Sequence, residues 1–360
     1  MNVSHSGGGA NPGAPRTPKS EQLEATDEIT EVAPGILRTQ LPANITGLGH
    51  VNMYVLEDDR GVAVVDPGMP TKESWTALTA RLAAIGVPLR RVHTVIVTHS
   101  HPDHYGGAAR LRAESGAGIV THRLFRTFYD PNDPGDLDPE ELALAMRSPF
   151  DAPPWGGPAM EMPWQRRAKI KVARTFPRLM KVPQPTVRLN EADRVTFAGR
   201  EWVAVHTPGH THDHLCLFDE ETGTFISGDH VLPNITPHIS GLTGHGDPLS
   251  LFYASLDKVG DFASKVTIAL PAHGHPFDNV GERVEQIKHH HDERLQRLRD
   301  VSTELGRPAT VMELATHLFS ARAQGPMADS ETFAHLEHLR LRGDMEVVER
   351  DGAFEYVLAG

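Results

Sequence analysis

The sequence has a single cysteine, Cys216, in 360 residues, so no internal disulfide is available. That excludes the disulfide-framed secreted class and suits a reducing compartment. No stretch approaches the roughly eighteen unbroken apolar residues of a membrane span, and M-N-V-S-H-S-G-G-G-A at the start has no signal-peptide core. A cytoplasmic protein with no membrane partner is expected. Cations are also scarce: 35 Lys and Arg face 47 Asp and Glu, a formal net charge of −12. This works against general affinity for nucleic acid, and DNA binding is not expected. Histidine is plentiful, with 22 residues, and where these cluster carries the functional argument.

Residues 1–28 are rich in Gly, Pro and Ser with almost no large apolar side chain, and are read as a disordered leader. Short β-branched runs follow (I-L-R-T-Q-L-P, V-N-M-Y-V-L, G-V-A-V-V-D-P-G), then a helical stretch from Trp75 to Ile85 ending at Gly86. Strand character returns at V-T-F, E-W-V-A-V, H-L-C-L-F and T-F-I-S-G-D-H. Two blocks of strands, each followed by helical segments, predict an α/β protein built as an αββα two-sheet sandwich over 29–280. Residues 124–185 interrupt the two halves with Pro-rich, Trp-containing sequence and helical spacing, and read as a helical insertion or lid. An amphipathic helix over 281–306 links to a tail at 307–360, whose helices and hairpin turning at Asp351-Gly352 predict a winged-helix-like module. The H-H-H run at 289–291 inside the linking helix reads as a solvated face.

Thr98 to Gly107, T-H-S-H-P-D-H-Y-G-G, packs three histidines and an aspartate behind the buried-strand pattern V-H-T-V-I-V. Pro102 is expected to keep this loop from closing at once into a helix, and alternation aims His99 and His101 the same way. Imidazole with carboxylate suits a borderline divalent metal, zinc above all, with iron(II) or manganese as alternatives. Three further clusters, V-H-T-P-G-H-T-H-D-H, F-I-S-G-D-H and A-L-P-A-H-G-H-P, also stand where apolar runs should stop.

In this order the motifs resemble the metallo-β-lactamase superfamily, and within it the glyoxalase II-like hydrolases, over about residues 35–280. The resemblance implies two divalent metal ions. His99, His101 and His210 match the ligands of the first, and Asp103, His104 and His273 those of the second, with Asp229 bridging both. It implies a hydrolase that draws its nucleophile from metal-activated water, with Asp103 as ligand and catalytic group orienting or deprotonating that water. Asp66 in V-V-D-P-G matches a buried aspartate that braces ligand loops, and His214 is a candidate partner for the ligating side chains. The commonest true β-lactamases place a cysteine among the second-metal ligands. Here Asp229 holds the bridging position and Cys216 reads as core, which argues against antibiotic hydrolysis.

Substrate clues lie outside the motifs. Gln165–Lys181 carries seven cations, among them Arg166, Arg167, Lys169 and Lys171, and no acid. Trp164, Ala168, Val172 and Phe176 share its helical spacing, so one face should cover apolar surface while the other attracts an anionic small-molecule substrate such as an ester, thioester or lactone. Insertion and tail also look like the subgroup that includes a lactamase-like mitochondrial endoribonuclease. From Thr310 to Gly360, however, four arginines face nine acids, which suits packing or a homodimer contact better than phosphate binding. Hydrolysis of RNA or another phosphodiester, a mononuclear iron persulfide dioxygenase, and a non-catalytic metal-binding regulator remain as alternatives.

Overall fold

Alternation along a long hairpin shows how the core is divided. The strands β1 (Ile29–Ala33), β2 (Ile36–Ile45), β3 (Leu48–Asp58) and β4 (Gly61–Val65) pair antiparallel, and β5 (Val92–Ile96), β6 (Gly118–His122) and β7 (Val187–Leu189) extend the sheet in parallel. In β3, Tyr54 and Leu56 point to one face, Val51, Met53 and Val55 to the other, and all five are buried. A strand whose two faces are both apolar needs cover on both sides. This computed structural model describes residues 18–45, 47–127, 152–156, 182–242 and 246–360, together with 164, 168, 171, 172 and 175.

The inner cover is a second sheet, β12-β11-β10-β9-β8, made of β8 (Arg194–Phe197), β9 (Arg200–His206), β10 (Leu215–Asp219), β11 (Thr224–Gly228) and β12 (Ile268–Pro271). Its Trp202, Leu215, Leu217, Ile226 and Leu270 meet Ile36, Tyr54, Val65 and Ile96 of the first sheet. The outer cover of the first sheet is α1 (Lys72–Ala84), whose N-cap Thr71 accepts from Ser74 N, and α3 (Ala108–Ser115). Over the second sheet lie α4 (Pro248–Phe262) and the 26-residue α5 (Val280–Leu305). The layers therefore run helix, sheet, sheet, helix.

The tail supplies a third sheet, β13-β15-β14, from β13 (Ala309–Thr310), β14 (Met345–Arg350) and β15 (Ala353–Leu358), with α6 (Val311–Leu318) and α7 (Pro326–Leu341). The hairpin turns at Asp351 and Gly352, both at positive φ, as a tight two-residue turn requires. Phe333, Leu336, Leu339 and Tyr356 belong to the same apolar cluster as Phe218 and Phe252, so the tail shares its core with the second sheet.

Four sequence expectations change. Within the segment read as a disordered leader, Ser20–Gln22 forms a turn of 3-10 helix, and the buried Glu21 carboxylate accepts from Asn234 N and Ile235 N. A polar segment can be fixed in this way by backbone donors elsewhere in the chain. Pro102 opens a short helix, α2 (Pro102–Tyr105), because proline at the first helical position gives up only an N–H that would lack a partner. The H-H-H run is not uniformly solvated, since His291 is fully buried with its Nδ1 3.0 Å from His335 Nε2. In the insertion, Trp164 and Val172 are 73% and 53% exposed and do not cover apolar surface. Among the described residues, no helix is long and apolar enough to cross a membrane.

Candidate metal centre

The polar clusters all stand where strands of the two sheets end, next to one another. Asp66 follows β4, His99 to His104 follow β5, His210 and His214 lie between β9 and β10, Asp229 follows β11, and His273 follows β12. Backbone hydrogen bonds lock these loops together: Leu215 N donates to Thr98 O at 2.8 Å and Ala272 N to Gly228 O at 2.9 Å. Gly228 has φ +52°, and a Cβ there would lie 2.7 Å from His214 Nε2, so only glycine lets β11 end against that ring.

Two groups of ligand atoms result. In one, His101 Nδ1 lies 2.9 Å from His99 Nε2 and 3.1 Å from His210 Nε2, with Asp229 Oδ2 3.9 and 3.5 Å from those two Nε2 atoms. In the other, Asp103 Oδ2 lies 3.4 Å from His104 Nε2 and 3.5 Å from His273 Nε2. Asp229 stands between them, its Oδ2 3.6 Å from His104 Nε2 and its Oδ1 3.4 Å from His273 Nε2.

The hydrogen bonds behind the rings decide what the front can hold. His210 Nδ1 donates to His238 O (2.8 Å), His273 Nδ1 to His50 O (2.5 Å) and His104 Nδ1 to the Asp66 carboxylate (2.9 Å). Thr98 Oγ1 donates to Asp66 Oδ2, so it accepts from His99 Nδ1. With each of these Nδ1 atoms carrying a proton, a ring in its neutral form presents its Nε2 lone pair toward the other rings and the carboxylate oxygens. Among the described residues, His104 Nε2, His273 Nε2 and Asp229 Oδ1 are buried without a hydrogen-bond partner. Convergent buried acceptors lacking a donor fit cations, and the mixed N and O donors fit zinc, iron or manganese.

Electrostatics separate the two groups. Burial, with the His104 and His101 rings, pushes His99 well below the ordinary imidazole range, and burial beside His210 brings His101 to about 3. Burial works against charge on His104 too, yet Asp103, Asp229 and Asp66 hold it well above that range. Burial would raise Asp103 and Asp229, but the surrounding imidazoles hold both below the carboxylate range. Against burial, Asp229 and Asp103 raise His273 as well, so the carboxylates draw positive charge into the second group, as a proton on its imidazoles or as a cation in its place, while His99 and His101 of the first stay neutral.

All seven residues singled out from the motifs meet here. The supporting pair is also present: His214 Nε2 accepts from Asp229 N at 3.0 Å, and Asp66 Oδ1 accepts from Thr98 N at 2.9 Å. Cys216 is buried, its thiol pushed up to about 12 by burial, away from the ligand set. Arg166, Arg167 and Lys169 lie outside the described residues, and Lys171 is exposed. The carbonyls of His50 and His238, and Asp213, which accepts from Ser100 Oγ at 2.9 Å and ties two ligand loops together, went unread in the sequence. Asp213 could have been noticed within T-H-D-H, whereas a backbone carbonyl has no residue signature.

Asp66 gives a direct check of this support. An amide there offers a single acceptor and turns an N–H₂ toward either Thr98 or His104. Asp66→Asn is expected to destabilise the metal-free protein by about 1–3 kcal/mol, the cost of one buried unsatisfied group. It should also weaken metal retention by roughly 10- to 100-fold. Urea unfolding and chelator competition measure the two effects. Unchanged retention would mean that Asp66 braces the fold without orienting His104.

Comparison with known proteins adds five findings. Residues 46–273 match the family model of the Metallo-beta-lactamase superfamily. The chain is 27% identical over 301 residues to the "Probable metallo-hydrolase YqjP" of Bacillus subtilis, covering 81% of this chain and 88% of that protein. It is 25% identical over 329 residues to an atrochrysone carboxyl ACP thioesterase of Passalora fulva, covering 87% and 75%. Among solved structures, a metallo-beta-lactamase family protein of Thermus thermophilus matches with a TM-score of 0.70 at 28% identity, covering 91% of this chain and all of that one. A beta-lactamase domain protein of Burkholderia ambifaria matches at 0.71 and 27%, covering 94% and 98%.

Proposed function

Because the chain belongs to the metallo-beta-lactamase superfamily, a superfamily of metallo-hydrolases, we propose that it is a dinuclear metal-dependent hydrolase of a small ester, thioester or lactone, thioester first. The observation that carries the dinuclear reading is Asp229, whose carboxylate faces both groups, with Oδ2 3.5 Å from His210 Nε2 and 3.6 Å from His104 Nε2 and Oδ1 3.4 Å from His273 Nε2. His99, His101 and His210 would hold one ion, Asp103, His104 and His273 the other, and Asp229 both. Bound there, zinc or a similar divalent pair would supply Lewis acidity and lower the pKa of a water toward 7. Asp103 is held as a carboxylate, so its part is to accept a hydrogen bond from the attacking water and aim it at the acyl carbon. In the thioester reaction the water oxygen bonds to that carbon, the C–S bond breaks, and a carboxylic acid and a thiol leave. The relative that is named as an acyl-carrier thioesterase supports this choice.

An anionic acyl group fits two features. The run Arg166, Arg167, Lys169, Lys171 is cationic within an acidic chain. A cavity of about 500 Å³, lined by Met69, Trp75, Tyr105 and Val182 with Lys72 and Arg110 and by none of the seven ligand candidates, joins apolar walls to two cations, Arg110 lying 4.1 Å over the Trp75 ring. The glyoxalase II-like subgroup and a winged-helix-like reading of the tail rest on the motif set and on the order strand, two helices, hairpin. Work in the cytoplasm and a homodimer complete the reading.

The test is a panel of acyl thioesters, esters, lactones, phosphodiesters and short RNAs with zinc-loaded and chelated protein. Thioester turnover that chelation abolishes is expected, and turnover confined to RNA or phosphodiesters would refute it. Neutralising Arg166, Arg167, Lys169 and Lys171 together should raise KM for an anionic thioester, weaken its salt dependence and leave a neutral one unchanged, because exposed charges act over only about 8–10 Å. Equal loss on both substrates would withdraw the anionic assignment.

A further inference from the structure

The tail touches the metal centre through one loop. His210 of the first ligand group has its Nδ1 held by a carbonyl from outside the ligand loops, that of His238, at 2.8 Å. His238 and the residues after it are in turn fixed by the N-terminal half of α7. Glu331 Oε2 lies 3.3 Å from His238 Nδ1. One residue earlier, Ser330 holds the next turn of the loop: Gly241 N donates to Ser330 Oγ at 3.0 Å and to Ser330 O at 3.2 Å, and Ser240 Oγ lies 3.2 Å from Ser330 Oγ. A Cβ at Gly241 would fall 2.7 Å from Ser330 O and 2.6 Å from the Phe333 ring, so this close approach depends on glycine.

Glu331 is itself fixed. Its Oε1 pairs with Arg294 of α5, and Arg294 lies 4.6 Å over the Phe319 ring. The next helical turn is pinned by the buried His291–His335 pair, in which His335 Nδ1 donates to Glu331 O at 2.7 Å. His291, Glu331 and His335 also group three potential ligand atoms within 4.8 Å. Arg294 and His238 already satisfy that carboxylate, so the cluster acts as a polar pin between α5 and α7.

The geometry points to Glu331 and Ser330 as positioning residues for the metal centre: the tail sets the carbonyl that orients His210, and so sets the affinity of the first ion. This rests on the dinuclear reading above. Partners behind ligating histidines usually change metal affinity by about 10- to 100-fold when removed. Here the effect should be confined to one of the two ions, since the second group draws its Nδ1 partners from His50 and Asp66.

The experiment uses the full chain, reconstituted with Zn²⁺ and titrated against a chelator, with the visible spectrum of the cobalt-substituted protein as a second readout. Glu331→Gln and Ser330→Ala should each weaken one dissociation constant by about 10-fold or more, leave the other unchanged, and shift the cobalt spectrum. His238→Ala, which keeps the carbonyl but deletes the ring, should do the same, and combined with Glu331→Gln it should add little, because both remove one contact. Glu337→Gln, which alters bonds to Tyr356 and Arg340 inside the tail, should lower Tm without touching either constant. Variants whose constants stay within about twofold of the parent, whatever their Tm, would reduce the tail to a packing role and leave the dinuclear reading intact. Additive effects of His238→Ala and Glu331→Gln would overturn the shared route. A parent protein that takes up fewer than two ions would sink the dinuclear reading and this inference with it.

Discussion

Asp229→Asn is expected to reduce the metal content from two ions per chain to one or fewer, and to lower kcat/KM by about 1,000-fold or more. The carboxylate now sets Oδ2 3.5 and 3.6 Å from His210 and His104 Nε2, and Oδ1 3.4 Å from His273 Nε2. An amide keeps one oxygen and turns its N–H₂ toward ring nitrogens that the carboxylate meets with an acceptor, so on the dinuclear reading the two ions lose their shared anionic ligand and one of them meets a donor instead. Lewis-acid stabilisation is worth several kcal/mol of transition-state energy, and each 1.36 kcal/mol is about tenfold in rate, which gives the stated loss. The fold should survive, because the Asp229 N–H to His214 Nε2 bond does not involve the side chain. Elemental analysis with thioester kinetics measures both. A variant that retains two ions and a rate within about tenfold of the parent would mean that Asp229 does not bridge. A parent holding a single iron and consuming oxygen on a persulfide would replace hydrolysis with dioxygenase chemistry.

The polar clusters were legible because their signal is local, while the choice of seven residues within them came from the family resemblance. Each residue lies within a few positions of the end of a β-branched run, and strand ends on one edge of a sandwich must meet. Asp66 was carried over from the same resemblance, and its φ of +53° marks a sharp turn at V-V-D-P-G. What failed was non-local. His238 takes its role from a backbone carbonyl and from a helix nearly a hundred residues later. Glu21 looked like part of a solvated leader because the donors it satisfies belong to Asn234 and Ile235.

His291 was a different kind of miss, since the sequence did contain its signal. Val284, Ile287, Leu295 and Leu298 define a buried stripe on α5, and 291 falls on that stripe at helical spacing. Reading three adjacent histidines as one unit hid that a helix sends consecutive side chains in different directions. His289, one of the same three, is exposed. Periodicity should have outweighed residue type.

Asp103→Asn separates catalysis from stability at the second group. Its Oδ2 lies 3.4 Å from His104 Nε2 and 3.5 Å from His273 Nε2, and the side chain is almost wholly buried. The backbone around it is held independently: Pro102–Tyr105 is helical, Gly107 N donates to Gly68 O at 3.1 Å, and Gly106 and Gly107 pass so close to Pro70 and Pro67 that an added Cβ would fall 2.2 and 2.3 Å from their backbone atoms. On the proposed reading the amide therefore removes an anionic ligand and the acceptor that aims the water while leaving the packing in place. Removing a group that handles a proton in the transition state costs about 100- to 10,000-fold, and a fall of that size in kcat is expected, with KM moving much less. Stability of the metal-free protein should respond to pH in a defined direction. The parent Asp103 is held below the ordinary carboxylate range, so the stability it contributes is present above the unfolded pKa and is lost as pH falls through the folded one. The asparagine variant lacks that contribution at neutral pH, and the difference between the two proteins should close in acid. Single-turnover kinetics and denaturant unfolding at several pH values read the two effects separately. If kcat falls by less than about tenfold, below the usual cost of losing such a group, Asp103 is a ligand only and the water is aimed by another side chain.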